Sequence, residues 1–172
     1  MILIALLLVI SGCGANNSTD DTTEAISLNQ VGEYSGAPYV YLNNNMPYFT
    51  DEEKENTKPF ENYSSLDDLG RCGVAFANIY KELMPTEERG PIGQIKPSGW
   101  HTVKYNGIID GNYLYNRCHL IGYQLTGENA KELNLITGTR YLNTEGMEGF
   151  ENTVGDYVAE MENHVVWEDT KL

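Results

Sequence analysis

The hydrophobic positions of the chain follow helical spacing in two long segments. Between residues 66 and 83, apolar side chains recur every three or four positions, and Ser65 is placed to cap the first turn. The segment ends before Pro85, a residue that helices rarely continue through. Residues 141–163 show the same spacing, most regularly in their second half. Both segments are predicted to form amphipathic helices.

Shorter apolar runs between turn residues predict strands. Residues 100–105 and 112–119 flank the turn dipeptide Asn106-Gly107, so they are predicted to pair as a hairpin. Weaker patterns predict further elements, with strands at 31–41 and 164–167 and a short helix at 128–133. Strands and helices do not alternate regularly along the chain. The pattern therefore predicts the α+β class, an antiparallel sheet with flanking helices.

The N-terminal region has a separate pattern. Residues 2–10 are continuously apolar, which is too short for a membrane-spanning helix of about 20 residues but suits a secretory signal peptide. Residues 10–13, Ile-Ser-Gly-Cys, resemble a bacterial lipobox, whose cysteine is lipidated. The alternative is a buried N-terminal strand with a chance cysteine at Cys13. Residues 14–23 are almost entirely polar and resemble a flexible spacer.

The lipobox interpretation divides the chain into three parts: a signal peptide at 1–12, the lipidated Cys13 with its spacer at 13–27, and a domain at 28–172. Membrane attachment through Cys13 would place the domain on the extracellular face of the bacterial cytoplasmic membrane; secretion is the alternative. Disulfides can form in that compartment. We therefore expect Cys72 and Cys118 to form a disulfide, with two buried free thiols as the alternative.

Composition and charge exclude several classes of protein. A chain of 172 residues, 41% of them hydrophobic, is enough for one domain with a real core. Acidic residues outnumber basic ones 25 to 11, and a net charge of -14 excludes coating of nucleic acid by bulk attraction, although not binding at a local site. Three cysteines exclude a disulfide-dense scaffold and a four-cysteine zinc site.

One segment departs from this acidic average. Residues 89–140 hold six basic and three acidic residues, so they are net positive by three. The segment could form a local cradle for an anionic substrate, or it could reflect ordinary variation in surface charge.

Candidate chemistry begins at the end of the second predicted hairpin strand, where the sequence reads Asn116-Arg117-Cys118-His119. A histidine can act as a general base because its ordinary pKa lies near neutral pH. Arg117, two residues earlier, shares the strand face of His119 and could contact a phosphate with two donors. The alternative is a structural histidine.

Asn134, Asn143 and Glu151 follow in that order. Together with His119 they resemble the DNA/RNA non-specific endonuclease family, in particular its streptococcal and competence-nuclease branch. The resemblance covers residues 100–167 well and implies a ββα-metal nuclease motif. The family motif is Asp-Arg-Gly-His, so Asn116 and Cys118 are departures from it. Related domains usually continue past the last strand, so the nuclease domain at 28–172 is expected to be C-terminally short, naturally or by truncation.

The resemblance implies roles for these residues. His119 matches the general base, Asn143 the asparagine that binds the catalytic metal, and Glu151 the glutamate that holds water around that metal. Arg117 matches the motif arginine and, with Arg140, would stabilise transition-state charge and contact substrate. Asn134 matches a further asparagine of this branch and is a third candidate substrate contact.

The implied activity is hydrolysis of DNA, or alternatively RNA, with Mg²⁺ as cofactor, Mn²⁺ as an alternative and 5′-phosphate products. Mg²⁺ suits a site with few protein ligands because it keeps several waters. No protein partner is predicted. Structural alternatives remain for single residues, since Asn143 could cap a helix, Glu151 could lie on a solvated helix face, and Asn134 could be a turn residue.

Two further alternatives concern the whole site. The tyrosines of this region are more typical of core or sheet packing than of base stacking: Tyr113, Tyr115 and Tyr123. The rival function is a non-catalytic, lipid-anchored module that binds DNA or another anion. The acidic residues between 145 and 162 would favour that rival if they faced the cleft, because they would repel DNA.

Overall fold

A computed structural model of the protein describes residues 28–169. This part of the chain confirms the predicted α+β class with antiparallel strands. The helices and strands follow in this order: α1 Asp51–Glu55, β1 Phe60–Tyr63, β2 Ala75–Ile79, β3 Tyr115–His119, α2 Tyr123–Thr126, β4 Leu135–Thr139, α3 Glu148–Met161 and β5 Val165–Asp169. The predicted signal peptide, Cys13 and most of the spacer lie outside the described residues. Between 28 and 169, no helix has the length and apolarity that crossing a bilayer requires.

The larger sheet has the order β1-β2-β5, with β2 in the centre and both neighbours antiparallel to it. Alternate side chains of β2, including Ala75, Ala77 and Ile79, are fully buried. They join one core with Leu125 of α2 and Val158 of α3. Burial of apolar side chains from these three elements fixes α2 and α3 against the sheet.

The smaller sheet is a two-stranded ribbon of β3 and β4, in which His119 pairs with Leu135. After β4 the chain enters a π-helical turn, Leu142–Met147, which leads directly into α3. Two antiparallel strands followed by a helix are the ββα arrangement that the sequence resemblance implies. The end of β3 and the start of α3 therefore come from a single structural unit.

The predicted helix at 66–83 is wrong. The Asp67 carboxylate accepts hydrogen bonds from the backbone N–H of Leu69 and of Arg71, both at 2.9 Å, which closes a turn in place of a helix. Gly70, at φ +69°, supplies the left-handed conformation of that turn. The apolar residues that follow become the central strand β2, because pairing on both edges outweighs their helical spacing.

Other predicted elements are shorter than expected or absent. Residues 31–41 form no strand, and 100–105 contribute a single bridge between Lys104 and Tyr113. Asn106-Gly107 does lie in a turn, with Gly107 at φ +72°. The predicted helix at 128–133 is reduced to a 3-10 turn, Glu132–Asn134. The helix in the second half of 141–163 and the final strand are confirmed.

The expected disulfide is absent, and Cys72 and Cys118 are buried free thiols. The Cys72 thiol donates to the Leu135 carbonyl at 3.3 Å, whereas Cys118 packs against Gly138 on the ribbon. Burial raises the pKa of both thiols, that of Cys118 to about 12. The departure from the family motif at Cys118 therefore places an inert apolar side chain beside His119.

Candidate active site

His119 ends strand β3 with a side chain that is only 6% exposed. Its Nε2 lies 2.8 Å from the Asn129 carbonyl oxygen. A carbonyl can only accept, so Nε2 carries the proton and Nδ1 keeps its lone pair. Nδ1 lies 3.4 Å from a guanidinium nitrogen of Arg89. Burial lowers the pKa of His119, and the Arg89 charge lowers it further, so the imidazole is held in its basic, neutral form.

Asn143 lies on the π-helical turn that links β4 to α3. Segments of π-helix are rare and are frequent at functional sites, because the wider turn re-aims a side chain. Within residues 28–169 the Asn143 amide has no hydrogen-bond partner in the protein. Its oxygen is therefore available to a ligand.

Glu151 lies in the first turn of α3 and is 9% exposed. The Gln124 amide donates to its carboxylate at 3.0 Å and fixes its orientation. Burial raises the pKa of Glu151, and the nearby charge of Glu148 raises it further. On its other side the carboxylate packs against Gly122, where a Cβ atom would lie 2.7 Å from the carboxylate carbon.

These side chains surround one small space of about 70 Å³, the inner cavity. Its lining combines one imidazole, one guanidinium, two carboxylates and two amides: His119, Arg89, Glu148, Glu151, Asn143 and Gln124, with Tyr123 completing the wall. Amide and carboxylate oxygens are hard donors that suit Mg²⁺ or Mn²⁺. A divalent cation would also offset the two carboxylate charges, so the residues present fit such an ion.

The same residues do not form a protein-only metal cage. Among residues 28–169 there is no group of three or more histidine, cysteine, aspartate and glutamate side chains that could hold a metal. An ion with few protein ligands must keep several waters, which is the usual behaviour of Mg²⁺.

A second and larger space of about 480 Å³, the groove, shares Arg89 and Asn143 with the inner cavity. Its lining contains three cations, Arg89, Lys96 and Arg117, and no acidic residue. None of these three forms an ion pair within the described part of the chain. In a protein with a net charge of -14, the groove is therefore a local site for an anion.

A model of the DNA/RNA non-specific endonuclease family matches residues 49–169. The chain belongs to the DNA/RNA non-specific endonuclease family. The match contains all of β1 to β5 and both spaces, so the family and the site geometry describe the same part of the molecule. No curated protein matches the sequence.

Solved structures of NucA and of Sda1 nuclease have a similar fold. NucA from Streptococcus agalactiae with magnesium bound is 24% identical, has a TM-score of 0.59, and is aligned over 68% of this chain and 58% of NucA. Its metal-free form is 22% identical with a TM-score of 0.57, over 70% and 59%. Sda1 nuclease with a bound zinc ion is 26% identical with a TM-score of 0.54, over 69% and 67%. This chain thus spans under two thirds of NucA.

The structure of this endonuclease-family domain brings His119, Asn143 and Glu151 together, as their order in the sequence suggested. Arg117 lies in the groove and does not line the inner cavity. Its Nε donates to the Ile95 carbonyl at 2.6 Å, and its guanidinium lies 3.7 Å from the Trp100 ring centroid. Arg117 therefore belongs to the groove and not to the inner cavity that contains His119.

Two predicted substrate contacts, Asn134 and Arg140, line neither space. Asn134 is 0% exposed, and its amide binds both the N–H and the carbonyl of Ile121, at 2.8 and 3.0 Å. It holds the connection between β3 and α2 from inside the core. Arg140 forms an ion pair with Asp110 at 2.8 Å and lines neither space.

Arg89 was not predicted as a site residue from the sequence, although it is one of the six basic residues between 89 and 140. Arg89 is the one cation that lines both spaces in the described structure. Gln124 and Gly122 were not predicted either. Gln124 lies on α2 and donates to Glu151, and Gly122, directly before α2, packs against the Glu151 carboxylate. The sequence signal for them is a glycine and an amide residue, Gly122 and Gln124, shortly after His119. That pattern alone is too common to predict a site.

Proposed function

We propose that this chain is a divalent-metal-dependent endonuclease that hydrolyses phosphodiester bonds of DNA without sequence preference. RNA is the alternative substrate. The observation that carries the proposal is the inner cavity, where a neutral histidine, an unpartnered amide oxygen and an oriented carboxylate meet beside a cationic groove. A module that only binds DNA has no need of this combination.

His119 is proposed as the general base. Its Nε2–H is engaged by the Asn129 carbonyl, so Nδ1 is the atom that accepts a proton from the attacking water, once the Arg89 guanidinium 3.4 Å away has turned to the phosphate. Burial keeps the imidazole neutral before the reaction. After proton transfer, the same carbonyl stabilises the imidazolium through its hydrogen bond.

Asn143 and Glu151 are proposed to hold the metal, Asn143 through its amide oxygen and Glu151 through ordered water. Bound there, Mg²⁺ would supply stabilisation of negative charge on the phosphate and on the leaving oxygen. Gln124 keeps the Glu151 carboxylate aimed into the cavity. Similar folds have been solved with magnesium in NucA and with zinc in Sda1, which supports a divalent cation in general.

Arg89 is proposed to bind the scissile phosphate, because it lies between the groove and the inner cavity and forms no ion pair within residues 28–169. A guanidinium can stabilise the extra charge of the transition state. Arg117 and Lys96 would bind neighbouring phosphates along the groove. Contacts to phosphates carry no base identity, which accounts for cleavage without sequence preference. Products with 5′-phosphates are expected from the family resemblance.

The cellular location is a separate proposal. Attachment to the extracellular face of the cytoplasmic membrane through Cys13 rests on the apolar segment, the lipobox-like tetrapeptide and the polar spacer. These features support export of the domain. Export and attachment through Cys13 both remain predictions from the sequence.

A nicking assay tests the activity. Residues 14–172 are incubated with supercoiled plasmid in Mg²⁺ or in EDTA. We expect cleavage only with Mg²⁺, and His119→Ala should reduce the rate by about 10²- to 10⁴-fold. His164→Ala is the matched control, because His164 stacks on Tyr80 outside both spaces. A folded protein that retains plasmid in a gel shift without cutting it would favour the non-catalytic module.

A further inference from the structure

We propose that the groove is a stacking site for unpaired nucleobases, and that single-stranded nucleic acid is the preferred substrate. This inference rests on the proposed nuclease function and adds a substrate class to it. It also revises the expectation that the tyrosines near the site serve only for packing.

Aromatic side chains line the groove beside the cations. Trp100, Tyr113 and Tyr115 all contribute to its wall, and Tyr113 is 46% exposed. A tyrosine that only packs in a sheet would be largely covered. Base stacking on aromatic rings tolerates any sequence, because every base has a π face. The groove therefore offers an apolar contact for bases in addition to charge for phosphates.

Each ring is supported on the protein by a cationic or imidazole group. The Arg117 guanidinium lies 3.7 Å from the Trp100 centroid, the Lys104 ammonium lies 5.4 Å from the Tyr113 centroid, and the rings of His101 and Tyr115 are 4.2 Å apart. A cation beside an aromatic ring contributes to stacking with an electron-rich partner. The His101 and Tyr115 rings are tilted by 57° to each other, so the three pairs are separate supports, each for one aromatic ring of the groove wall.

Two of these pairs are held in place before substrate arrives. Arg117 donates to the carbonyls of Ile95 and Gly93, at 2.6 and 3.0 Å, so it cannot rotate away from Trp100 without losing both hydrogen bonds. Tyr113 is fixed by its bridge to Lys104 and by the hydrogen bond from Leu114 N–H to the Val103 carbonyl, at 3.0 Å. Preorganisation of this kind reduces the entropy cost of binding.

The size and chemistry of the groove favour a single strand. Its volume of about 480 Å³ is that of a site for a small molecule. In a duplex the base faces are already stacked on each other, so a duplex can offer the groove only its phosphates. An unpaired strand can place phosphates on Arg89 and Lys96 and a base against Tyr113 at the same time.

The test measures binding to three DNA probes with the His119→Ala variant in EDTA, so that no probe is cut. The probes are a short oligothymidylate strand, the same strand with its central nucleosides replaced by abasic residues, and the duplex of oligothymidylate with oligoadenylate. Fluorescence anisotropy gives each Kd. We expect the intact strand to bind about tenfold tighter than the abasic strand, because one or two stacked bases are lost. It should also bind tighter than the duplex.

Substitutions at Tyr113 locate the effect. In the same His119→Ala background, Tyr113→Leu should reduce the difference between intact and abasic strands, whereas Tyr113→Phe should preserve it, because the ring remains. Tyr157→Leu is the control, since Tyr157 is a similarly exposed tyrosine on α3 outside the groove. Circular dichroism checks the fold of each variant. The comparison of intact and abasic strands uses no substitution in the groove, so it tests the proposal even if a Tyr113 variant fails to fold.

Equal affinity for the intact and abasic strands, or for single strand and duplex, would overturn the stacking site. If plasmid is still nicked in that case, the nuclease proposal stands and the groove binds phosphates alone. If Tyr113→Leu leaves the difference unchanged, stacking occurs elsewhere and the assignment to this groove is wrong. Failure of the unmodified protein with Mg²⁺ to cut either the plasmid or the oligothymidylate strand, combined with tight binding of the intact strand, would instead remove the proposed activity and leave the base-binding site.

Discussion

The inner cavity and the groove share Arg89 and Asn143 but have opposite character. The inner cavity is small and contains two carboxylates, whereas the groove is several times larger, cationic and aromatic. The first suits a cation and a proton transfer; the second suits a polyanion. Their contact at Arg89 places the proposed cutting chemistry at one end of the proposed binding surface.

The comparison also explains how so acidic a chain could bind DNA. The acidic residues between 145 and 162 raised the concern that α3 would repel the substrate. Of that segment, only Glu148 and Glu151 line the inner cavity, and no acidic residue lines the groove. A polyanion in the groove therefore meets Lys96 and Arg117 without an acidic neighbour in the lining, while the remaining acids of α3 lie elsewhere.

Asn143→Ala should have the largest effect, and this effect should differ between the two spaces: Mg²⁺ binding in the inner cavity should weaken, and DNA binding in the groove should not. Removing the amide oxygen should weaken Mg²⁺ binding by about tenfold or more, because the inner cavity has few protein ligands. The Mg²⁺ concentration needed for half-maximal nicking measures this effect. Asn143→Asp keeps an oxygen donor and should retain metal-dependent cleavage.

The groove cations remain in the Asn143→Ala variant, so oligothymidylate binding in EDTA should stay within about twofold of the unmodified protein. A loss of binding as large as the loss of metal affinity would show that the two spaces do not act separately.

The two spaces also differ in how well their residues could be predicted from the sequence. His119, Asn143 and Glu151 belong to one ββα unit, so their spacing is constrained by two strands and a helix and can be recognised. Part of the groove, including Arg89, Lys96 and Trp100, comes from chain without helix or strand before β3, whereas Tyr115 and Arg117 lie on β3. Their convergence depends on tertiary contacts such as Arg117 to Ile95.

The fold was predictable for a similar reason. α3 was predicted from helical spacing that is most regular in the second half of 141–163, and β5 from a weaker strand pattern at 164–167; both predictions are confirmed. β2 was mistaken for a helix because its apolar residues also fit helical spacing, and only pairing with β1 and β5 decides the outcome. Asn134 shows the limit for side chains, since an asparagine that binds backbone in the core looks the same in sequence as one that binds substrate.

The next largest effect should come from Gly122→Ala, which changes the inner cavity without removing a functional group. The new Cβ would lie 2.7 Å from the Glu151 carboxylate carbon and 2.9 Å from the Gln124 amide oxygen, so the carboxylate must shift. We expect a loss of about 1–3 kcal/mol in the free energy of unfolding, measured by urea denaturation, together with slower nicking.

Gly149→Ala is the matched control for Gly122→Ala. Gly149 lies on α3, two residues from Glu151, and a Cβ there meets nothing within 4 Å. Alanine is the better helix former, so this variant should be more stable by about 0.5–1 kcal/mol with unchanged activity. Equal stability of the two alanine variants would contradict the close packing around Glu151.

A smaller effect is expected in the pH dependence of His119. Burial lowers its pKa most, and the Arg89 charge lowers it further, so the imidazole should become protonated at a lower pH than an exposed histidine, whose pKa is about 6.5. Replacing Arg89 with glutamine removes a positive charge beside the imidazole. The protonated form then becomes more favourable, the pKa rises, and the neutral base is lost at a higher pH than in the unmodified protein.

This shift is measured by NMR titration of labelled histidine, with His119→Ala identifying the signal. Cleavage rates alone are ambiguous, because burial also raises the pKa of Glu151 and raises that of Asp169 to about 7. An unchanged His119 titration in Arg89→Gln would mean that Arg89 does not act on the base, and would assign Arg89 to the groove alone.

The smallest effects are expected in DNA binding and its salt dependence, where Lys96→Ala and Arg140→Ala should differ. Lys96 lines the groove without an acidic partner, so Lys96→Ala should weaken binding of the oligothymidylate strand a few-fold and reduce its salt dependence by about one counterion. Arg140 is paired with Asp110 and lines neither space, so Arg140→Ala should leave the salt dependence unchanged. Loss of that exposed ion pair should cost about 0–1 kcal/mol in stability. A salt dependence that falls equally in both variants would extend the substrate path beyond the groove to the 105–112 turn, and would return Arg140 to the substrate-binding role that its sequence position suggested.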